Sequence, residues 1–335
     1  MPRRTRRGVQ PLRILQVLRP LKPSVLLTST LPSSTIARLT EVCDVDRVEG
    51  GEIVTHDELV RRVAGKQGLI SMVTDPVDAA VIEAGRDLRV IANVAVGYNN
   101  IDIATARARG IVVTNTPDVL TDATADFAFA LILAITRRLG EAERIVRAGR
   151  WQRWAFDFLL GTELRGKQLG IVGYGRIGRA VAARGAAFGM RIAYVPRASS
   201  AHSAEAESMP LDRLLATSDV VSLHVPLTPE TRHLIDQPAL ARMKRNAFLI
   251  NTARGPVVDE PALAWALKNR IIAGAALDVY EDEPTIHPDL LTLENVVLSP
   301  HIGSATTETR TAMADLAIRN VVAVLSGQPP LTPVR

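Results

Sequence analysis

The stretch LGIVGYGRIGRAVA, residues 169–182, restricts this chain more than any other part of it. An apolar run of strand character, LGIV, passes directly into Gly173, Gly175 and Gly178 and then into a helical run. That spacing belongs to a strand that turns abruptly into a helix. Gly173 permits the tight turn, Gly175 lets the backbone approach a pyrophosphate, and Gly178 lets the helix pack closely on the strand. The helix start then offers unpaired N–H groups and a positive dipole end to the phosphates of a dinucleotide. Arg176 and Ile177, within the turn, are further candidate cofactor contacts.

The same alternation extends over the rest of the chain. VLLTS precedes IARLTEV, GLISMV precedes DAAVIEAG, and RVIANVAV precedes NNIDIATARARG and then IVVTNT. After the glycine turn come RIAYV, DVVSLHV, AFLINTA, IAGAALDV and NVVLSP, with helical segments between them. Strand and helix in turn imply βαβ units and parallel sheets. The predicted fold class is therefore α/β, with two Rossmann-like, doubly wound parallel-sheet domains. Residues 121–303 form the expected dinucleotide-binding domain. Residues 23–120 with 304–335 form a discontinuous substrate-binding (catalytic) domain, because the final helix, from Ser304 to about Ser326, has apolar surface enough to pack back on the first unit. Between them, ATADFAFALILAITRRLGEAERIVRA is expected as one long helix, N-capped by Thr121 or Asp122, closed by Gly149 and buried as a hinge.

The net charge of +5 invites a nucleic-acid reading, but its location argues against one. Residues 1–22 hold seven Lys and Arg and no acid, which leaves −2 on the remainder. A mildly acidic body offers no basic folded face, so no nucleic-acid partner is expected. The tail is expected to be a solvated extension or the product of a start codon placed too early. A transit peptide fits less well, because Ser is scarce and three prolines interrupt any amphipathic helix. Cys43 is the only cysteine, which excludes a disulfide framework and a thiolate metal site, and no metal is expected. With no apolar run long enough to span a bilayer, the expected location is the cytoplasm, without membrane contact.

The strand RIAYV ends where an NAD-binding chain would carry an acid for the ribose hydroxyls. Here Val195 stands, followed by Arg197, Ser199 and Ser200, a cation and two hydroxyl donors suited to a 2′-phosphate. NADP(H) is thus the preferred cofactor, with NAD(H) as a second. In an open α/β sheet the reacting site lies outside the carboxyl ends of the strands. Arg254 after AFLINTA, Glu283 after IAGAALDV and His301 after NVVLSP all meet that condition. Reduction of a 2-oxo acid needs a cation for the carboxylate, an acid for the carbonyl oxygen and a carboxylate to hold that acid protonated, and Arg, His and Glu supply these. His224, at the end of VVSLHV, is placed as well as His301.

The motifs VGYNNIDI, TDATADFAFALILA, LGIVGYGRIGRAVA, HVPLTPETRHLI, INTARGPVVDE, ALDVYEDEP and NVVLSPHIGSAT, in this order, resemble those of the D-isomer-specific 2-hydroxyacid dehydrogenases. The resemblance runs from about Pro23 to Leu325 and is strongest to the glyoxylate and hydroxypyruvate reductases among them. It implies catalytic roles for Arg254, Glu283 and His301, preferring His301 to His224. It implies that the N–H groups of Val96 and Gly97 bind the substrate carboxylate beside Arg254. Asp278 is implied near the nicotinamide carboxamide and Thr124 near the pyrophosphate. Thr252, Ala253 and Gly303 would line the cofactor cleft, with Pro226 also in contact. GRWQRWAFD resembles a segment that places an indole in the partner subunit's active site, which gives Trp154 that role or one in interface packing; a homodimer through the nucleotide-binding domain follows.

Two departures stand out. Asn99 replaces an Asp common in the family, an expected tolerated change in a polar loop. The absence of a C-terminal regulatory domain argues against a feedback-regulated phosphoglycerate dehydrogenase. The expected function is NADPH-preferring reduction of glyoxylate or hydroxypyruvate to the D-2-hydroxy acid, with His301 as general acid. Alternatives are a bulkier oxo acid or phosphite, decided by the pocket around Ser71 and Met72, or a nucleotide-sensing transcriptional corepressor of the same fold.

Overall fold

The computed structural model describes residues 22–48, 54–196 and 206–334, so most of the basic tail, as well as Arg197, Ser199 and Ser200, lies outside the described residues. A first sheet contains β1 (Ser24–Leu27), β2 (Asp44–Arg47), β3 (Gly68–Ser71), β4 (Val90–Asn93) and β5 (Val112–Thr114). A second contains β6 (Gln168–Val172), β7 (Arg191–Val195), β8 (Glu207–Ser208), β9 (Val220–Leu223), β10 (Phe248–Asn251), β11 (Gly274–Leu277) and β12 (Val296–Leu298). Their orders are β2-β1-β3-β4-β5 and β12-β11-β10-β9-β6-β7-β8, and the paired strands within each are parallel. The central strands β3, β4, β6, β9, β10 and β11 are buried along their whole length, as sheets covered by helices on both faces require. The edge strands β2 (DVDR) and β8 carry no apolar run and were not legible as strands.

Local capping fixes many helix starts. Asp78, Asp102, Asp236 and Asp259 each accept the backbone N–H three residues on, as do the hydroxyls of Thr55 and Thr306. The helix Thr307–Leu325 returns to the first sheet, where Ala314, Ala317, Ile318 and Val321 join Val25, Leu27, Ile70 and Ala92 in one core. The chain end follows it, Val334 donating to the Val113 carbonyl at 2.8 Å. The unit built on the first sheet is therefore discontinuous in sequence.

One expected element is corrected. The long helix after Pro117 is two helices, Thr121–Thr136 and Leu139–Arg147, with Arg138 between them at φ +53°. The first starts at Thr121 without a side-chain cap, and Gly149 ends only the second. The break has a tertiary cause: Thr162 N–H donates to the Thr136 carbonyl at 2.8 Å, taking the acceptor that a continuous helix would offer to Gly140. The first helix buries Ala125, Ala128, Phe129, Ile132 and Ile135 against the second sheet, whereas the second helix buries no residue. Among the described residues no helix is long and apolar enough to cross a membrane.

Candidate active site

In the second sheet the strand order reverses between β6 and β9, the place where an α/β sheet opens a crevice. Gly173 leaves β6 there at φ +99°. A Cβ at Gly173 would lie 2.5–2.7 Å from backbone atoms of His224 and Val225, so only glycine lets the turn pass under the end of β9. Gly175 precedes the helix Arg176–Ala187, whose start has no side-chain cap. The space a Cβ of Gly175 would enter is open to 4 Å, and Arg176 at the same corner pairs with Asp118 at 2.5 Å. Val195, the last residue of β7, is in register with Val172, directly beside the glycine turn. Thr252, in the loop after β10, has a buried hydroxyl with no hydrogen-bond partner among the described residues. A glycine cradle at an uncapped helix start and an orphaned hydroxyl in the same crevice fit a nicotinamide dinucleotide.

His301 and Glu283 meet at the ends of β12 and β11. His301 Nδ1 lies 2.8 Å from Glu283 Oε2, and Tyr280 N–H donates to Glu283 Oε1 at 3.1 Å. Burial pushes the Glu283 carboxyl up, but the hydrogen bond and charge of His301, the Tyr280 N–H and the Arg254 guanidinium outweigh it and hold the group below the usual carboxylate range. Ionised Glu283 accepts from Nδ1–H and leaves Nε2 as the nitrogen available for chemistry.

His301 itself is at φ +53°, a left-handed conformation that costs a non-glycine residue about 1 kcal/mol. Asp278, only 2% exposed, holds it there: Oδ1 accepts from Ile302 N–H and Ser299 Oγ, both at 2.8 Å, and Oδ2 accepts from Gly303 N–H at 2.7 Å. Burial pushes the Asp278 carboxyl up against these bonds. Asp278→Asn turns one acceptor into a donor facing an N–H, and should cost about 2 kcal/mol of stability by denaturant unfolding and lower kcat about tenfold.

Arg254 leaves β10 and crosses to the first sheet. Its Nε donates to Asn99 Oδ1 at 3.0 Å, its Nη1 donates to the Ala253 carbonyl at 2.7 Å, and its Nη2 lies where a Cβ of Gly97 would be. Burial lowers the Arg254 guanidinium from its ordinary value, with the Glu283 charge opposing; a guanidinium is basic enough to stay a cation.

The turn carrying Val96 and Gly97 is tied from below. Asn93 Nδ2 donates to the Gly97 carbonyl at 2.9 Å, and Asn115 Nδ2 donates to that of Val96 at 2.7 Å. Asn100 Nδ2 donates to the carbonyls of Met72 and Asp75, both at 3.0 Å. Ser71, expected to shape the pocket, is buried and bonded to Asn93 at 3.2 Å.

The structure thus links Arg254 with Gly97 and Glu283, Glu283 with His301, and Asp278 with Gly303, beside which Thr124 lies; Gly173, Gly175, Arg176, Ile177 and Gly178 form the turn and helix start after β6, with Gly173 against His224 and Val225, the residues before Pro226, while Thr252 and Ala253 follow β10. The rival histidine has different surroundings. His224 Nε2 is bonded to Ser222 Oγ at 2.8 Å, and burial lowers its imidazole to about 3, which keeps it neutral. Trp154 is 76% exposed. Sequence reasoning assigned no role to Asn99, Asn93 or Asn115, nor to buried Glu260, which accepts from Glu281 N–H at 2.8 Å and His287 N–H at 2.6 Å and so shapes the Glu283 loop. The one available signal was a polar residue ending an apolar strand, as in VIAN.

Residues 129–303 match the family model "D-isomer specific 2-hydroxyacid dehydrogenase, NAD binding domain". The chain is 49% identical over 316 residues to a glyoxylate reductase of Korarchaeum cryptofilum, covering 92% of this chain and 95% of that protein. A Thermus thermophilus protein of solved structure superposes with a TM-score of 0.87 at 46% identity, over 93% of this chain and 100% of that one. An NADPH-dependent glyoxylate/hydroxypyruvate reductase of Sinorhizobium meliloti, solved with NADP and malonate, gives a TM-score of 0.82 at 38% identity, over 93% and 97% of the two chains. Two parallel-sheet units, a glycine turn at the strand-order reversal and relatives matched over nearly their whole length lead to one conclusion: the chain belongs to the D-isomer specific 2-hydroxyacid dehydrogenase family and is an NAD(P)-dependent oxidoreductase.

Proposed function

We propose that the protein is an NADPH-preferring reductase of a small 2-oxo acid, glyoxylate or hydroxypyruvate, giving the 2-hydroxy acid in the D form where the product is chiral. The observation that carries this reading is the His301–Glu283 pair at 2.8 Å, close enough to Arg254 for its charge to act on Glu283. A 2-oxo acid presents a carboxylate beside a carbonyl. Arg254 Nη2 with the N–H groups of Val96 and Gly97 holds the carboxylate, which fixes the carbonyl in place. His301 delivers a proton from Nε2 to the carbonyl oxygen as charge develops there, and Glu283 stabilises the imidazolium that does so. A bound reduced nicotinamide supplies the hydride. The unit 23–120 with 304–335 binds substrate and the unit 121–303 binds the dinucleotide. There Thr124 and the glycine turn hold the pyrophosphate, Asp278 lies near the carboxamide, and Thr252, Ala253, Gly303 and Pro226 line the cleft.

Preference for NADPH is supported by Val195 at the strand end, which neither binds ribose hydroxyls nor repels a 2′-phosphate, and by Arg197 and Ser199 just beyond it in sequence. The Sinorhizobium relative is described as NADPH-dependent. Val195→Asp should lower the NADPH-to-NADH ratio of kcat/KM by about tenfold or more, since a carboxylate there accepts from the ribose and repels the phosphate; an unchanged ratio contradicts this assignment of the strand end.

A homodimer is part of the proposal, supported by an exposed apolar stretch: Trp151, Trp154, Phe156 and Leu160, with Leu139 and Val146 on the neighbouring helix, all lie more than half exposed. Such a surface marks a protein contact, and Trp154 reaches the partner's active site or packs within the interface.

The deciding experiment measures initial rates with NADPH and with NADH, each against glyoxylate and hydroxypyruvate. Faster turnover with NADPH and either acid supports the proposal. No rate with any pair overturns it and favours the corepressor reading.

A further inference from the structure

Asn320 is fully buried in the helix Thr307–Leu325, and both ends of its amide are engaged. Nδ2 donates to the Leu316 carbonyl and to Thr332 Oγ1, both at 2.9 Å, while Oδ1 accepts from Leu331 N–H at 2.9 Å and from Thr332 N–H at 3.1 Å. A hydroxyl has one proton to give, and that of Thr332 goes to the Asn115 carbonyl at 2.6 Å. Asn115 donates in turn from Nδ2 to the Val96 carbonyl at 2.7 Å, and the N–H of Thr116 beside it donates to the Ala95 carbonyl at 2.8 Å. Residues 331–334 thus form a strap along β5, the outer strand of the first sheet: Pro333 pairs antiparallel with Thr114, and Val334 N–H bonds the Val113 carbonyl. Backbone pairing alone would cover that edge. The buried amide and the hydroxyl add an unbroken line of hydrogen bonds from the helix to the Val96–Gly97 turn.

We propose that Thr332 is a positioning residue of the substrate site: through its hydroxyl, buried Asn320 sets Asn115, and Asn115 sets the turn whose N–H groups receive the carboxylate of the oxo acid. The inference rests on the reading of Val96 and Gly97 as that carboxylate site. Thr332 itself touches the backbone of Asn115 and not the turn, so its effect falls on where two N–H groups stand when substrate arrives. Substrate binding should feel it, and cofactor binding should not. Thr332→Val keeps the shape of the side chain but leaves the Asn115 carbonyl and one N–H of Asn320 without these partners. Thr332→Ser keeps the hydroxyl. A hydroxyl that only stabilises the fold would, on removal, lower the unfolding midpoint and leave KM for the oxo acid untouched.

The test compares the wild-type enzyme with Thr332→Val and Thr332→Ser, using NADPH and glyoxylate, with oxamate as an unreduced isostere of a 2-oxo acid and thermal unfolding alongside. In Thr332→Val, KM for glyoxylate and the inhibition constant of oxamate should both rise about fivefold, while kcat and KM for NADPH change less than about twofold. Thr332→Ser should bring both constants back to within about twofold of wild type. Hydrogen exchange on the wild-type enzyme gives a readout that needs no variant, because coupling between two sites is reciprocal. Adding oxamate to the NADPH-bound enzyme should slow exchange of the Leu331, Thr332 and Val334 amides about threefold or more, with those of β2 at the opposite edge of the sheet unchanged. With an active wild-type enzyme, a Thr332→Val variant that keeps its KM and its oxamate constant overturns the inference and leaves the proposed function standing. If that variant fails to fold, exchange at residues 331–334 that oxamate leaves unaltered does the same. A wild-type enzyme inactive with both glyoxylate and hydroxypyruvate overturns the proposed function and the inference with it.

Discussion

His301→Gln is expected to lower kcat by about 10² or more with little change in KM for the oxo acid or for NADPH. Gln keeps a donor near the carbonyl oxygen but has no proton to give. The loss therefore falls on the transition state, where charge on oxygen must be quenched, and not on ground-state binding. Glu283 cannot take over the part: its carboxyl is held below the usual carboxylate range, so it is ionised near neutral pH. His224→Gln is the control for placement. With its imidazole lowered to about 3, His224 has no proton to lend near neutrality, and its replacement should change kcat by no more than several-fold. A large loss in His224→Gln with His301→Gln near wild type would reverse the assignment.

Arg254→Gln should lower kcat/KM by about 10²–10³, mostly through KM for the oxo acid, because removing one partner of a partly buried charge pair costs about 2–5 kcal/mol. KM for NADPH should hold. Gly97→Ala gives the same signature by an independent route: its Cβ would overlap Arg254 Nη2 and Cζ, and the neighbour that must yield is the end of a flexible side chain and not backbone. The variant should therefore fold normally and bind cofactor normally while losing the substrate. An Arg254→Gln enzyme with wild-type KM for glyoxylate would mean that another cation anchors the carboxylate.

Much of this site was legible in the residues because its parts obey short-range rules. Gly173, Gly175 and Gly178 sit at a strand-to-helix turn whose spacing alone calls for glycine, and the buried strands stand out as apolar runs. Arg254, Glu283 and His301 each follow such a strand, which puts them on the crevice side of a parallel sheet before any contact is known. What failed did so where a distant segment intervened. The helix after Pro117 reads as continuous, since nothing local stops it; Thr162 ends it by taking the Thr136 carbonyl. Placement could not separate His224 from His301, because both end strands of the same sheet; their surroundings differ, burial against Ser222 in one case and a carboxylate at 2.8 Å in the other.

Sequence alone determined the alternation of strand and helix, the parallel α/β class and the glycine turn, because periodicity, turn chemistry and strand ends are properties of neighbours along the chain. Tertiary structure alone decided that Arg254 reaches over Gly97 with Asn99 holding its Nε, that Asp278 locks His301 in a strained left-handed turn, and that three asparagines tie the Val96–Gly97 turn and the backbone beside it. The physical reason is one of range. A hydrogen bond between residues 155 positions apart leaves no periodic trace in either segment and exists only once two sheets have packed against each other.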